Sequence, residues 1–156
     1  MLEKIGRADE ARYMRGNIPI HHRYTLGVAG ERFFKAMRDE RRLLASRCPG
    51  CQEAFLPPKM YCERCFEETT DWIPVEGPGY VKSFTVLHLS LDEEPLEEPV
   101  VVALIAWEGV RGGLIHRVGG ISPRAVKIGM TVEPVWGEKR AGTLEDIRHF
   151  RTAAVD

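Results

Sequence analysis

The sequence predicts a mainly β protein in which a small barrel of five short strands follows a four-cysteine metal ribbon and an N-terminal helical arm. Three observations lead there. All four cysteines fall between Cys48 and Cys65; the stretch before them has helical periodicity; and the stretch after them breaks into short β-rich runs punctuated by Gly and Pro. The expected division is an arm with an amphipathic helix over 1–45, a ribbon over 46–70 and a barrel over 71–156.

In the arm, Ile18-Pro19-Ile20-His21-His22 reads as extended or turning, because a residue before proline is pushed out of the helical region. Adjacent side chains on an extended segment point apart, so His21 and His22 read as surface residues and not as a metal pair. From Glu31 to Ser46, Phe33, Phe34, Met37 and Leu44 recur near helical spacing among Arg32, Lys35, Arg38, Arg41 and Arg42, which predicts an amphipathic helix leading directly into the ribbon. Phe33, Phe34 and Met37 are the candidates for contact with a protein partner; the same stripe would serve equally for packing on this chain's own barrel.

The cysteines are spaced C-x2-C-x10-C-x2-C. Each short turn aims two thiolates at one point, and two turns complete a tetrahedron around zinc with Zn–S distances of about 2.3 Å. Cys48, Cys51, Cys62 and Cys65 would fill every position, leaving none for water or substrate, so the zinc is expected to be structural. Two disulfides or four free thiols are the competing reading, weakened by the lack of an export signal; iron suits the same donors. Pro57-Pro58 restricts the loop between the knuckles.

Beyond the ribbon the expected strands are Tyr80 to Leu89, Val100 to Trp107, Leu114 to Val118, Thr131 to Trp136 and Asp146 to Phe150. The segment from Asp92 to Pro99 holds five carboxylates and two prolines, which exclude it from a sheet interior and predict an exposed loop. It lacks the glycine and regular alternation of a calcium-binding loop. Val100 to Trp107 is apolar on both faces, which favours a covered outer surface and an obligate complex.

With 44% apolar residues, 29% charged residues and a net charge of −1, the composition is that of a globular protein with no general attraction to nucleic acid or anionic lipid. No apolar run reaches the roughly 20 residues needed to cross a bilayer, and Met1 to Gly16 is too charged for a signal-peptide core, so a cytoplasmic location and no membrane contact are expected.

A further signal lies in the order of several motifs. They are Tyr24-Thr25-Leu26-Gly27-Val28-Ala29-Gly30-Glu31-Arg32-Phe33-Phe34, Cys48-Pro49-Gly50-Cys51, Leu56-Pro57-Pro58-Lys59-Met60-Tyr61-Cys62-Glu63-Arg64-Cys65, Gly77-Pro78-Gly79-Tyr80-Val81-Lys82-Ser83-Phe84-Thr85-Val86, Ile128-Gly129-Met130-Thr131-Val132-Glu133 and Asp146-Ile147-Arg148-His149-Phe150. In this order they resemble the rubredoxin-like zinc-ribbon plus OB-fold proteins that accompany thiolases and other acyl-CoA enzymes. The resemblance implies a five-stranded OB-fold barrel and an accessory subunit whose thiolase-fold partner carries the catalytic residues. It also implies a second role in holding coenzyme A or acyl-CoA. Such contact is expected from the ribbon side, with Lys59, Arg64 and Arg47 as the phosphate partners, since all three lie beside or between the knuckle cysteines. The chain departs from the family in placing Phe66 where many relatives have glycine.

No catalytic residue is assigned. Every cysteine is committed to metal, and His88, His116 and His149 read as structural strand residues. The rival function is binding of single-stranded nucleic acid, for which Tyr80, Lys82, Phe84, Val86 and His88 would form one strand face. The acidic segment beside that face and the near-neutral chain weigh against it.

Overall fold

The computed structural model describes residues 24–154; the N-terminal arm with His21 and His22 lies outside them. Helix α1 runs over Gly27–Glu40, and just before it Thr25 Oγ1 accepts the Gly27 N–H at 2.9 Å. It therefore begins four residues earlier and stops six residues sooner than the periodicity predicts. Arg41 turns into the left-handed region (φ 53°), donating its N–H to the Ala36 carbonyl, and Leu44–Arg47 become strand β1. The apolar residues before Cys48 fit helical spacing, but Ala45 and Ser46 are fully buried between two strand neighbours. Sheet pairing overrides the local period.

Phe33 and Met37 correct the partner-contact expectation. Both are buried, at 2% and 0% exposure, in a core shared with Leu43, Leu56 and the barrel residues Val81, Ile105 and Phe150. Phe34 is half-buried against the same cluster. The helix spends its apolar stripe on its own chain.

The ribbon sheet joins β1 to β2 (Ala54–Leu56), β3 (Asp71–Pro74) and β6 (Val110–Gly112) in the order β3-β1-β2-β6. The last pair is parallel and brings a segment from the second half of the chain onto the ribbon. Gly112 makes this approach possible: a Cβ there would lie 2.2 Å from the Leu56 carbonyl oxygen, which accepts the Gly113 N–H at 2.8 Å.

Strands β4 (Gly79–Leu89), β5 (Pro95–Ala106), β7 (Leu114–Val118), β9 (Ile147–Thr152) and β8 (Thr131–Trp136) follow one another around a closed barrel. These are the five strands expected from the sequence. Closure is made by β4 against β8 at Gly79↔Val132 and Tyr80↔Thr131, and by a single parallel bridge, Val118↔Phe150, between β7 and β9. The core is sealed by Phe150, fully buried, with its ring edge-on to Trp107 at 6.0 Å and to His116 at 5.6 Å.

Two expectations about β4 and β5 change. The acidic segment is strand from Pro95 onward; the turn is Ser90 to Glu94, where Ser90 Oγ accepts the N–H groups of Asp92 and Glu94, each at 3.2 Å. Proline is tolerated because β5 begins pairing with β7 only at Val101, so Pro95 and Pro99 lie where the strand has no neighbour on that side. Its carboxylates stay exposed. The second change is a register shift between Val81 and Ser83, which makes Lys82 an extra residue. Before the extra residue Tyr80 pairs with Ala106 and after it Phe84 and Val86 pair with Ala103 and Val101, on β5 positions of opposite parity, so the bulge divides the single face expected of Tyr80, Lys82, Phe84, Val86 and His88.

Candidate metal centre and adjoining groove

The two cysteine knuckles are one structure built twice. The Cys48 N–H donates to the Glu53 carbonyl at 2.9 Å and the Gln52 N–H to the Cys48 carbonyl at 2.9 Å. In the second knuckle the Cys62 N–H donates to Glu67 at 2.8 Å and the Phe66 N–H to Cys62 at 3.0 Å. Gln52 and Phe66 occupy the matching position with the same left-handed φ of 61°. Phe66 thus makes this turn in the left-handed region that glycine adopts freely, at a conformational cost and with its ring 81% exposed.

These turns bring the four Sγ atoms within 4.8 Å of one another, with Cys48 to Cys65 at 3.3 Å and Cys51 to Cys62 at 3.5 Å. A zinc–sulfur distance of about 2.3 Å places the sulfurs of a tetrahedron about 3.8 Å apart. The donor set fits a structural zinc; iron accepts the same ligands. Without metal the thiols divide their acidity unevenly. Burial opposes the Cys62 thiolate, yet the N–H groups of Cys65 and Arg64 and the neighbouring thiols together hold its pKa at about 7. Cys65 gains from the Glu67 N–H, but the surrounding thiols, Cys48 foremost, and burial push it up to about 12. A bound cation is what allows all four to ionise together.

Ser46 and Thr69, which the sequence did not single out, hold the second knuckle in place. Buried Ser46 Oγ accepts the Lys59 N–H at 2.8 Å and donates to the Lys59 carbonyl at 2.9 Å; Thr69 Oγ1 donates to that same carbonyl. Nothing in their spacing marks them, because the bonds span 13 and 10 residues.

Of the three candidate phosphate contacts, Lys59 lies in a groove. Arg47 lies 3.7 Å from Asp71 and Arg64 lies 3.4 Å from Glu53, both on the exposed ribbon surface. Lys59 pairs with Glu63 and holds its ammonium 5.0 Å over the Phe55 ring. Beside it a groove of about 610 Å³ opens between ribbon and barrel, lined also by Lys82, Arg111, Tyr80, Leu104 and Ile115. The bulge exposes Lys82, and β6 carries Arg111 next to Phe55. Both devices depend on pairing between distant segments, so Lys82 was read from the sequence only as part of a β4 strand face, and Arg111 was not singled out.

Of the strand histidines, His116 is held by two hydrogen bonds. His116 Nδ1 accepts the Arg117 N–H at 2.9 Å, so its Nε2 carries the proton toward the Leu144 carbonyl, 3.1 Å away. His149 is held below its ordinary pKa of 6.5, first by burial and then by Arg148 and Arg117. His88 is exposed on β4. Among the described residues no helix is long and apolar enough to cross a membrane.

Comparison with known proteins agrees with this architecture. Residues 36–71 match the rubredoxin-like zinc ribbon domain of ChsH2, and residues 72–137 match the C-terminal OB-fold domain of ChsH2. A DUF35 domain-containing scaffold protein of Methanocaldococcus jannaschii is 28% identical over 107 residues, covering 67% of this chain and 74% of the relative. Its namesake in Methanothermobacter thermautotrophicus is 28% identical over 100 residues, covering 63% and 74%. Among solved structures, a DUF35-family protein of unknown function from Sulfolobus solfataricus superposes with a TM-score of 0.65 at 27% identity, over 81% of this chain and 84% of that one. A chain of the Ltp2-ChsH2(DUF35) aldolase superposes with a TM-score of 0.62 at 28% identity, over 85% of this chain and all of that one.

Proposed function

The chain belongs to the ChsH2 family of rubredoxin-like zinc-ribbon and OB-fold proteins, and from that premise we propose that it is a non-catalytic scaffold subunit of a thiolase-type acyl-CoA-processing complex. The observation that carries this reading is the commitment of all four cysteines to one closed metal site, which leaves no thiol for acyl transfer. The naming of both relatives as scaffold proteins and the two-component aldolase among the structural matches support it. The thiolase-fold partner supplies the catalytic groups. Coenzyme A contact is assigned to the groove beside Lys59, where Lys82 and Arg111 add two cations and Leu104 and Ile115 an apolar floor. The nucleic-acid reading loses its main support with the face divided at Lys82.

Purification of the chain from its native source tests the proposal. A thiolase-fold protein is expected to co-purify, with turnover of acyl-CoA esters by the complex and none by the isolated chain. Robust turnover by the chain alone would overturn it. Calorimetry of coenzyme A with the complex refines the site: Lys59→Ala with Arg111→Ala should weaken binding by roughly 1 to 3 kcal/mol, with reduced salt dependence. Unchanged affinity removes this groove from the ligand site.

A further inference from the structure

The hairpin formed by the end of β4 and the start of β5 extends past the barrel. Strand β5 pairs with β7 only over Val101–Ile105, so from Leu87 to Val100 the strand pairing is that of β4 with β5, and Glu98 to Val100 also border a cleft with Gly119 to Pro123. Its apolar side chains belong to no core: Leu87, Leu89 and Leu91 are 41%, 54% and 103% exposed. An isolated two-stranded hairpin is marginal in water, and Leu87 and Leu89 at the end of β4 and Leu91 in the turn gain no apolar cover from the described residues of this chain.

Charge decides what can cover it. From Ser83 to Val110 the sequence has no lysine or arginine, while Asp92, Glu94, Glu97 and Glu98 are exposed along the arm. A second copy docked through the same arm would set carboxylates against carboxylates, since a two-fold interface presents the same patch from both sides. The complementary surface is instead an apolar recess bordered by lysine or arginine.

We propose that this hairpin is the arm by which the chain docks onto its enzyme partner, inserting Leu89 and Leu91 into an apolar recess on the thiolase-fold subunit that is rimmed by basic residues. The inference rests on the scaffold reading above and adds the surface and the partner chemistry to it. It also explains why the arm is long: leucines beyond the barrel reach a recess that the barrel wall could not enter.

The test uses the full chain and the thiolase-fold protein that co-purifies with it. Leu89→Ser with Leu91→Ser is expected to raise the dissociation constant at least tenfold, and Glu94→Lys with Glu97→Lys to weaken binding in a manner that shrinks at high salt. Hydrogen exchange at residues 87–96 should slow at least tenfold in the complex. Zinc content and barrel unfolding should stay at wild-type values in both variants, since the changed side chains lie outside the core. If the complex forms and both variants bind as tightly as wild type, the docking arm is refuted while the scaffold role stands. If no thiolase-fold protein associates at all, both fall. Self-association of the free chain that the leucine changes abolish would name a second copy as the occupant and overturn the proposal.

Discussion

The ribbon and the barrel are held together by different forces, although they share a seam. The barrel, with α1 and Leu56, closes over one apolar cluster that includes Val81, Ile105, Trp107, Ile147 and Phe150. The ribbon's own cluster consists of Phe55 with Cys48 and Cys62, and Cys51 partly buried against them. So little apolar area cannot order the ribbon residues, and a metal must supply the difference. The contrast teaches that one chain can contain a unit stabilised by burial and a unit stabilised by coordination. Their coupling runs through Gly112 at the end of β6 and Gly113 just after it, which tie the barrel side to Leu56.

The sharpest way to separate the two is Cys62→Ser. Structural zinc supplies roughly 10 kcal/mol or more of apparent binding free energy, so losing one thiolate should melt residues 46–70 while leaving the barrel folded. Hydrogen exchange resolved by residue, together with zinc stoichiometry, checks this. A variant that retains a full zinc equivalent and unchanged unfolding would show the four-cysteine assignment to be wrong.

The reciprocal experiment attacks the barrel. Phe150→Ala removes a fully buried ring in contact with Trp107 and His116, and should cost roughly 3 to 5 kcal/mol of global stability. Denaturant unfolding followed by tryptophan fluorescence reads that loss, and the zinc stoichiometry of the still-folded fraction should not change. Loss of zinc in that folded fraction would mean that barrel and ribbon form one cooperative unit, and the comparison would break down.

The smallest effect concerns the ribbon's backbone. Phe66 sits at φ 61° with its side chain exposed, so Phe66→Gly relieves left-handed strain without removing packing. A gain of roughly 1 kcal/mol in ribbon stability is expected, reduced by the added freedom of glycine in the unfolded chain. Gln52→Gly should behave alike, because Gln52 holds the equivalent turn in the first knuckle. Zinc competition with a chelator measures both; a weaker hold on zinc in either variant would indicate that the side chain contributes more than its turn.

Legibility followed the range of each interaction. The metal ligands were plain because two C-x2-C turns carry their geometry within four residues each. The barrel strands were plain because alternation and Gly or Pro punctuation are local. Phe33 and Met37 were recognised as one apolar stripe, but whether it faced the barrel or a partner depended on a neighbour that periodicity cannot name. Lys82 and Arg111 were missed as groove residues for the same reason: one owes its exposure to a bulge and the other its position to a parallel bridge with β2.

By itself the sequence determined the four sulfur ligands, the five barrel strands and the family, since each is carried by short-range spacing or by the order of motifs along the chain. Only the tertiary structure decided that the helix ends at Glu40, that the ribbon sheet takes a strand from the barrel half, that the presumed aromatic face is divided at Lys82, and that a leucine hairpin stands beyond the barrel. Each of these turns on which distant strand pairs with which. That choice is settled by the burial and hydrogen bonding of the whole chain at once, and it outweighs local propensities worth well under about 1 kcal/mol per residue.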